Sequence, residues 1–116
     1  MLIALATFLK YELYTTNVTA AFLSAEIDSV VYVRPPAGLE EEDNKVWLLK
    51  RSLYGLHQSP RLWYKKMTDT LMLFGFSPDP NESHLWAYQD SIGVIFLALY
   101  VDDALVAVSS AAMAER

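Results

Sequence analysis

Apolar residues recur at helical spacing at the start of the chain. Leu2, Leu5, Ala6 and Leu9 share one face, which predicts a helix over residues 2–9. Residues 11–18 then turn aromatic and β-branched, the composition of a strand. Residues 20–25 fit one or two helical turns, with Thr19 as the N-cap. A short strand is expected over 30–33, ended by Pro35, Pro36 and Gly38. Residues 40–43 are acidic and read as a solvated loop tip. Over 45–51, Val46 and Leu48 alternate with Trp47 and Leu49, the pattern of a strand with both faces partly covered.

The clearest helix starts at Ser59-Pro60. Serine suits a cap, and proline at the first helical position loses no bond, because its N–H would be unpaired anyway. Trp63, Met67, Thr70, Leu71 and Phe74 form one apolar face, and Gly75 is the stop. Residues 77–81 carry proline and asparagine and read as a loop, and a strand is expected over 84–88. Two apolar runs, 92–101 and 104–108, flank Asp102-Asp103 and predict a β-hairpin with carboxylates at its turn. The order of helix, strands, helix and strands indicates an α+β fold with an antiparallel sheet.

The chain has 116 residues, enough for one small domain or a piece of a larger one. With 53% hydrophobic, 13% aromatic and 20% charged residues it has a folding composition, which excludes global disorder. Cysteine is absent, so disulfides, a thiol nucleophile and cysteine–zinc sites are excluded, and the two histidines, His57 and His84, lie far apart in sequence. A net charge of −5 argues against a generally basic nucleic-acid binder. No membrane partner is expected: the longest apolar run of the C-terminal half is eight residues, 94–101, where a spanning helix needs about 20. An intracellular location is the corresponding expectation.

Candidate chemistry sits in two places. Asp-Asp is poor turn chemistry, because hairpin turns favour Asn-Gly or Asp-Gly. The two carboxylates also repel, and magnesium held by oxygen ligands would relieve that repulsion. A pair of solvated turn aspartates is the other reading. Separately, Lys45, Lys50, Arg51, Arg61, Lys65 and Lys66 follow one another with no acid between them, interleaved with Tyr54, Trp63 and Tyr64. Such a segment could follow a phosphate backbone, or could simply be a solvated helix face.

The residues also carry a resemblance. Tyr100-Val101-Asp102-Asp103 looks like the polymerase signature of reverse transcriptases. Ser52-Leu53-Tyr54-Gly55-Leu56-His57-Gln58-Ser59-Pro60-Arg61, followed by Trp63-Tyr64, is similar to the "SLYGLKQAPR.WY" block of copia-type retrotransposons. Val18-Thr19-Ala20-Ala21-Phe22-Leu23 resembles their "DVKTAFL" block, and Val31-Tyr32-Val33-Arg34-Pro35-Pro36-Ala37-Gly38 their "VYM.QPPG" block. The four occur in family order and together cover nearly the whole chain.

The resemblance implies a partial reverse transcriptase domain over 1–116, with the polymerase palm: an antiparallel sheet backed by helices. It implies RNA-directed DNA synthesis by two-metal phosphoryl transfer, with Mg2+ or Mn2+ held by three carboxylates. Implied partners are an RNA or DNA primer-template, deoxynucleoside triphosphates and the rest of a retrotransposon polyprotein. Carried over by position, Asp102 and Asp103 are the catalytic, metal-holding carboxylates. Phe22 is the aromatic residue that blocks a nucleotide 2′-hydroxyl, with Ala21 beside it, and Gly55 and Gln58 lie in the nucleotide and template contact region. From the basic run, Lys50, Arg51, Arg61, Lys65 and Lys66 are the candidate nucleic-acid contacts.

One position departs from the pattern. The family has aspartate where this chain has Asn17, and an amide brings no charge to a metal. Losing one well-placed electrostatic group costs about 3 kcal/mol, roughly a hundredfold in rate. Fingers, thumb and ribonuclease H segments are not seen in the sequence. The expectation is therefore a truncated, catalytically impaired copy, the alternative being a domesticated non-catalytic palm fragment that acts as an interaction or nucleic-acid-binding module. A magnesium-dependent nuclease or phosphatase would leave the "SLYGLHQSPR" block unexplained. Asn17 is expected close to Asp102, and an isolated palm should leave Trp47, Tyr54, Trp63 and Trp86 uncovered.

Overall fold

The computed structural model describes residues 1–39 and 44–116, so the acidic stretch 40–43 lies outside the described residues. The chain divides into two compact units. The first comprises Met1–Thr19 and Met67–Arg116, and the second Ala20–Lys66.

The first unit is built on a five-stranded antiparallel sheet. Its strands are β1 (Glu12–Asn17), β4 (Ser77–Pro78), β5 (Leu85–Gln89), β6 (Val94–Tyr100) and β7 (Asp103–Val108), in the order β1-β7-β6-β5-β4. The fold is thus α+β with an antiparallel sheet, as the periodicities predict. Alternation along β6 sends Ile95, Leu97 and Leu99 to one face, where they are buried. There Leu97 and Leu99 pack with Trp86, Ala104 and Leu71, and Ile95 packs with Val108 and Met113. Leu71 belongs to helix α3 (Ser59–Leu73), and Met113 to a short helix, α4 (Ala111–Ala114), that periodicity did not reveal. On the opposite face Phe96, Ala98, Leu105 and Ala107 pack against Leu2 and Ala6 of helix α1 (Leu2–Leu9). A sheet covered on both faces explains why β6 reads as a continuous apolar run.

Several boundaries differ from expectation for local reasons. Helix α1 spans the predicted residues, but only Leu2 and Ala6 are buried, while Leu5 and Leu9 are exposed. It ends at Lys10, which adopts the left-handed conformation. The stretch 77–81 was expected to be a loop, yet Ser77 and Pro78 pair with Ala87 and Trp86. Proline is tolerated there because β4 is an edge strand. Helix α3 stops at Gly75 as predicted, with φ +88 and an N–H donated to the Met72 carbonyl. Phe74, expected on its apolar face, is 70% exposed.

The second unit holds a one-turn helix, α2 (Ala21–Ser24), and a two-stranded sheet of β2 (Tyr32–Val33) and β3 (Trp47–Leu48). The N-cap of α2 is Ala20 in the left-handed region, not Thr19, and no side chain caps it. Trp47 and Leu48 are exposed, so β3 does not have both faces covered. Residues 59–66 of α3 also belong to this unit. Ser59 lies inside the first turn rather than before it, and its hydroxyl donates to the Leu53 carbonyl and accepts from Ser52 Oγ. Ser52 and Ser59 are both fully buried. Of the aromatics expected to be uncovered, Trp47 and Tyr54 are exposed, whereas Trp63 and Trp86 are 5% and 3% exposed. Among the described residues no helix is long and apolar enough to cross a membrane.

Candidate active site at the sheet end

The β6–β7 turn lies one residue earlier than the sequence suggests. Tyr100 pairs with Asp103, so the turn residues are Val101 and Asp102, and Asp103 opens β7. Val101 takes φ 56, the left-handed region, where a β-branched residue is an outlier. A positive φ at the first central position alone is the pattern of a type II′ turn, which normally has glycine there.

Strand β1 runs antiparallel to β7 and ends at the same place. Its last pair is Asn17 with Asp103. The Asn17 Nδ2 donates to Asp103 Oδ1 at 2.8 Å. One residue further, the Val18 N–H donates to the Asp102 carbonyl at 2.8 Å. Asn17 was expected beside Asp102, but its side-chain contact is with Asp103, and the link to Asp102 is made by backbone. Asp102 is half-buried, while Asp103 and Asn17 are exposed. Asn17 and the Asp102-Asp103 pair, distant in sequence, therefore lie at one end of one sheet. A groove of about 420 Å³ opens beside them, lined in part by Thr15, Thr16, Leu99, Tyr100 and Asp103.

This donor set does not fit a site made of three carboxylates. Asn17 contributes no charge, and its amide N–H occupies an oxygen of Asp103. Among the described residues no group of three or more histidine, cysteine, aspartate or glutamate side chains could hold a metal ion.

The remaining candidates lie in the second unit. Ala21 and Phe22 are buried in α2, and the Phe22 ring packs on Tyr54. Gly55 adopts φ +92, and Gln58 Nε2 donates to Ser29 Oγ at 3.4 Å. The basic candidates are not all directed to solvent alone. Arg61 pairs with Asp28 at 2.7 Å, and that hydrogen bond holds the Asp28 carboxyl below its ordinary value. Arg51 donates to the Ser24 carbonyl and approaches Glu26 at 3.9 Å. Lys50, Lys65 and Lys66 are exposed. Tyr54 was read only as a residue interleaved with the basic segment. Its contact with Phe22 joins two blocks that are separate in sequence, and no periodicity signals it.

Comparison with known proteins places the chain in a family. The family described as reverse transcriptase (RNA-dependent DNA polymerase) matches residues 1–116. A transposon Ty5-1 protein of Saccharomyces cerevisiae is 39% identical over 102 residues, covering 86% of this chain and 33% of that protein. A retrovirus-related Pol polyprotein from transposon RE1 of Arabidopsis thaliana is 34% identical over 92 residues, covering 78% of this chain and 6% of the polyprotein. The corresponding polyprotein from transposon TNT 1-94 of Nicotiana tabacum is 34% identical over 116 residues, covering 90% of this chain and 8% of the polyprotein. The chain thus spans a third or less of each of these relatives. No solved structure matches it significantly. With the family match running from the first residue to the last, and relatives that are polyproteins of the Ty/copia kind, the chain belongs to the reverse transcriptase (RNA-dependent DNA polymerase) family.

Proposed function

We propose that this chain supplies the palm sheet of an RNA-directed DNA polymerase of a copia-type element, and that nucleotidyl transfer is impaired in it by Asn17. The observation that carries the second part is the Asn17–Asp103 hydrogen bond. Phosphoryl transfer of this class depends on fixed charge that neutralises the reacting phosphate oxygens. Two carboxylates and an amide at the sheet end provide one negative charge fewer than three carboxylates. Magnesium is the divalent ion that membership of the family implies.

The other candidate roles form part of the same proposal. Phe22, Ala21, Gly55 and Gln58 contact the incoming nucleotide, and Lys50, Arg51, Arg61, Lys65 and Lys66 contact nucleic acid. Arg51 and Arg61 would reach phosphate by exchanging Glu26 and Asp28 for it, since exposed ion pairs are weak. A non-catalytic interaction module is the second reading, favoured by the exposure of Val30, Tyr32, Trp47 and Tyr54.

Primer extension on an RNA template tests the first reading. The unaltered chain is expected to give no product with magnesium or manganese. Asn17→Asp, placed in an otherwise complete polymerase frame of the same element, is expected to extend where Asn17 does not. Template-dependent extension by the unaltered chain, abolished by Asp102→Asn, would overturn the impairment.

A further inference from the structure

At the sheet end a strained turn sits between two cross-strand bonds. Val101 holds a left-handed backbone that a β-branched residue avoids. Such residues persist only where their surroundings over-determine them. The surroundings here are the Val18 N–H on the Asp102 carbonyl and the Asn17 amide on the Asp103 carboxylate, each at 2.8 Å. The second is a charge-assisted bond, stronger than a neutral pair. It also gives one of two adjacent carboxylates a donor, which offsets their mutual repulsion.

We propose that the Asn17–Asp103 hydrogen bond is an internal lock that does the work of a cation: it fastens β1 to the β6–β7 turn and makes the sheet end independent of divalent ions. The inference rests on the geometry of Asn17, Asp102 and Asp103, not on the polymerase reading. An amide and a divalent cation are alternative ways to satisfy Asp103. With asparagine at position 17, the N–H already satisfies one Asp103 oxygen, so an entering cation must take the other oxygen or displace the amide, and gains no anionic ligand from position 17. With aspartate there, the donor is lost, a carboxylate at position 17 faces that of Asp103, and an ion held by oxygen ligands relieves the repulsion.

Thermal unfolding in chelator and in millimolar Mn2+ tests the lock without any polymerase readout. The unaltered chain is expected to melt at the same temperature in both. Asn17→Asp should melt several degrees lower in chelator and recover with Mn2+. Asn17→Ala should melt lower in both and ignore the ion. A melting temperature of the unaltered chain that rises with Mn2+, and no longer rises in Asp103→Asn, would overturn the proposal. So would an Asn17→Asp chain indifferent to Mn2+. If Asn17→Asp fails to fold in chelator, folding on Mn2+ addition supports the lock. If it folds in neither, NMR of the unaltered chain decides: selective Mn2+ broadening of the Val18 and Ala104 amides overturns the lock, and its absence supports it.

Discussion

The Phe22 and Tyr54 rings lie 4.6 Å apart between centroids and are tilted by 35°. Phe22 is 8% exposed and Tyr54 55%, so the tyrosine covers the phenylalanine and is itself wetted. A tilted aromatic pair at this distance contributes about 0.5–1.5 kcal/mol beyond its buried area. A double-mutant cycle with Phe22→Leu and Tyr54→Leu, read by urea unfolding, is expected to return a coupling in that range. Strictly additive single effects would show that the rings do not support each other.

Val101→Gly is expected to stabilise the chain by about 1 kcal/mol. Glycine removes the cost of a left-handed β-branched residue, of order 1–3 kcal/mol, and gives back part of it as greater freedom in the unfolded chain. The denaturation midpoint should rise with an unchanged slope. A lower midpoint would mean that the Val101 side chain contributes packing that outweighs the strain.

Gly93→Ala should have the opposite sign. A Cβ built at Gly93 collides with Ser109 Oγ and comes within 3.0 Å of Met113 Cγ. Ser109 Oγ cannot easily retreat, because it accepts the Val94 N–H at 2.9 Å. Overpacking of this kind costs about 1–3 kcal/mol. Equilibrium unfolding of the variant measures it, and a wild-type midpoint would show that α4 shifts freely.

Asp90 should contribute to acid sensitivity. Its carboxylate accepts the Ile92 and Gly93 N–H groups and the Tyr88 hydroxyl, and Arg116 lies 3.0 Å away. The Ile92 bond above all lowers its pKa below the ordinary value. A depressed folded-state pKa contributes stability above the unfolded aspartate value of about 4, and that stability disappears as pH falls through the folded value. The stability gap between the unaltered chain and Asp90→Asn should therefore be widest near neutral pH and close on acidification. A gap independent of pH would refute the assignment.

Much of this architecture is written in residue periodicity. Helices α1 and α3 and the β6–β7 hairpin are legible because spacings of 3.6 and 2 residues mark which faces are buried. Asp102 and Asp103 stand out because aspartates interrupt apolar runs. The turn itself was misplaced by one residue: turn chemistry favours aspartate over valine at a positive φ, and Val101 overrides that preference. Asn17 does lie at the Asp102-Asp103 end of the hairpin, as expected, and strand register decides that its side chain meets Asp103. Trp63 and Trp86 are buried rather than in solvent, and Trp86 is covered by Leu71, Leu97, Leu99 and Ala104, remote residues that a local pattern does not reveal. The brief strand at Ser77 and Pro78 has no period to detect.

The buried serine pair has a direction. Ser52 donates to Ser59, and Ser59 donates to the Leu53 carbonyl, so the proton chain runs one way. The two hydroxyls are therefore unequal. Removing the Ser52 hydroxyl takes away a donor and leaves the Ser59 bond to Leu53 intact. Removing that of Ser59 strands the Ser52 donor and leaves the Leu53 carbonyl with only the Leu56 N–H at 3.4 Å. The loop between them, 53–58, is fastened at its base by the second serine as well as by the Gln58–Ser29 bond and the Tyr54–Phe22 contact, and loss of the Ser59 hydroxyl should speed amide exchange across it more than loss of the Ser52 hydroxyl.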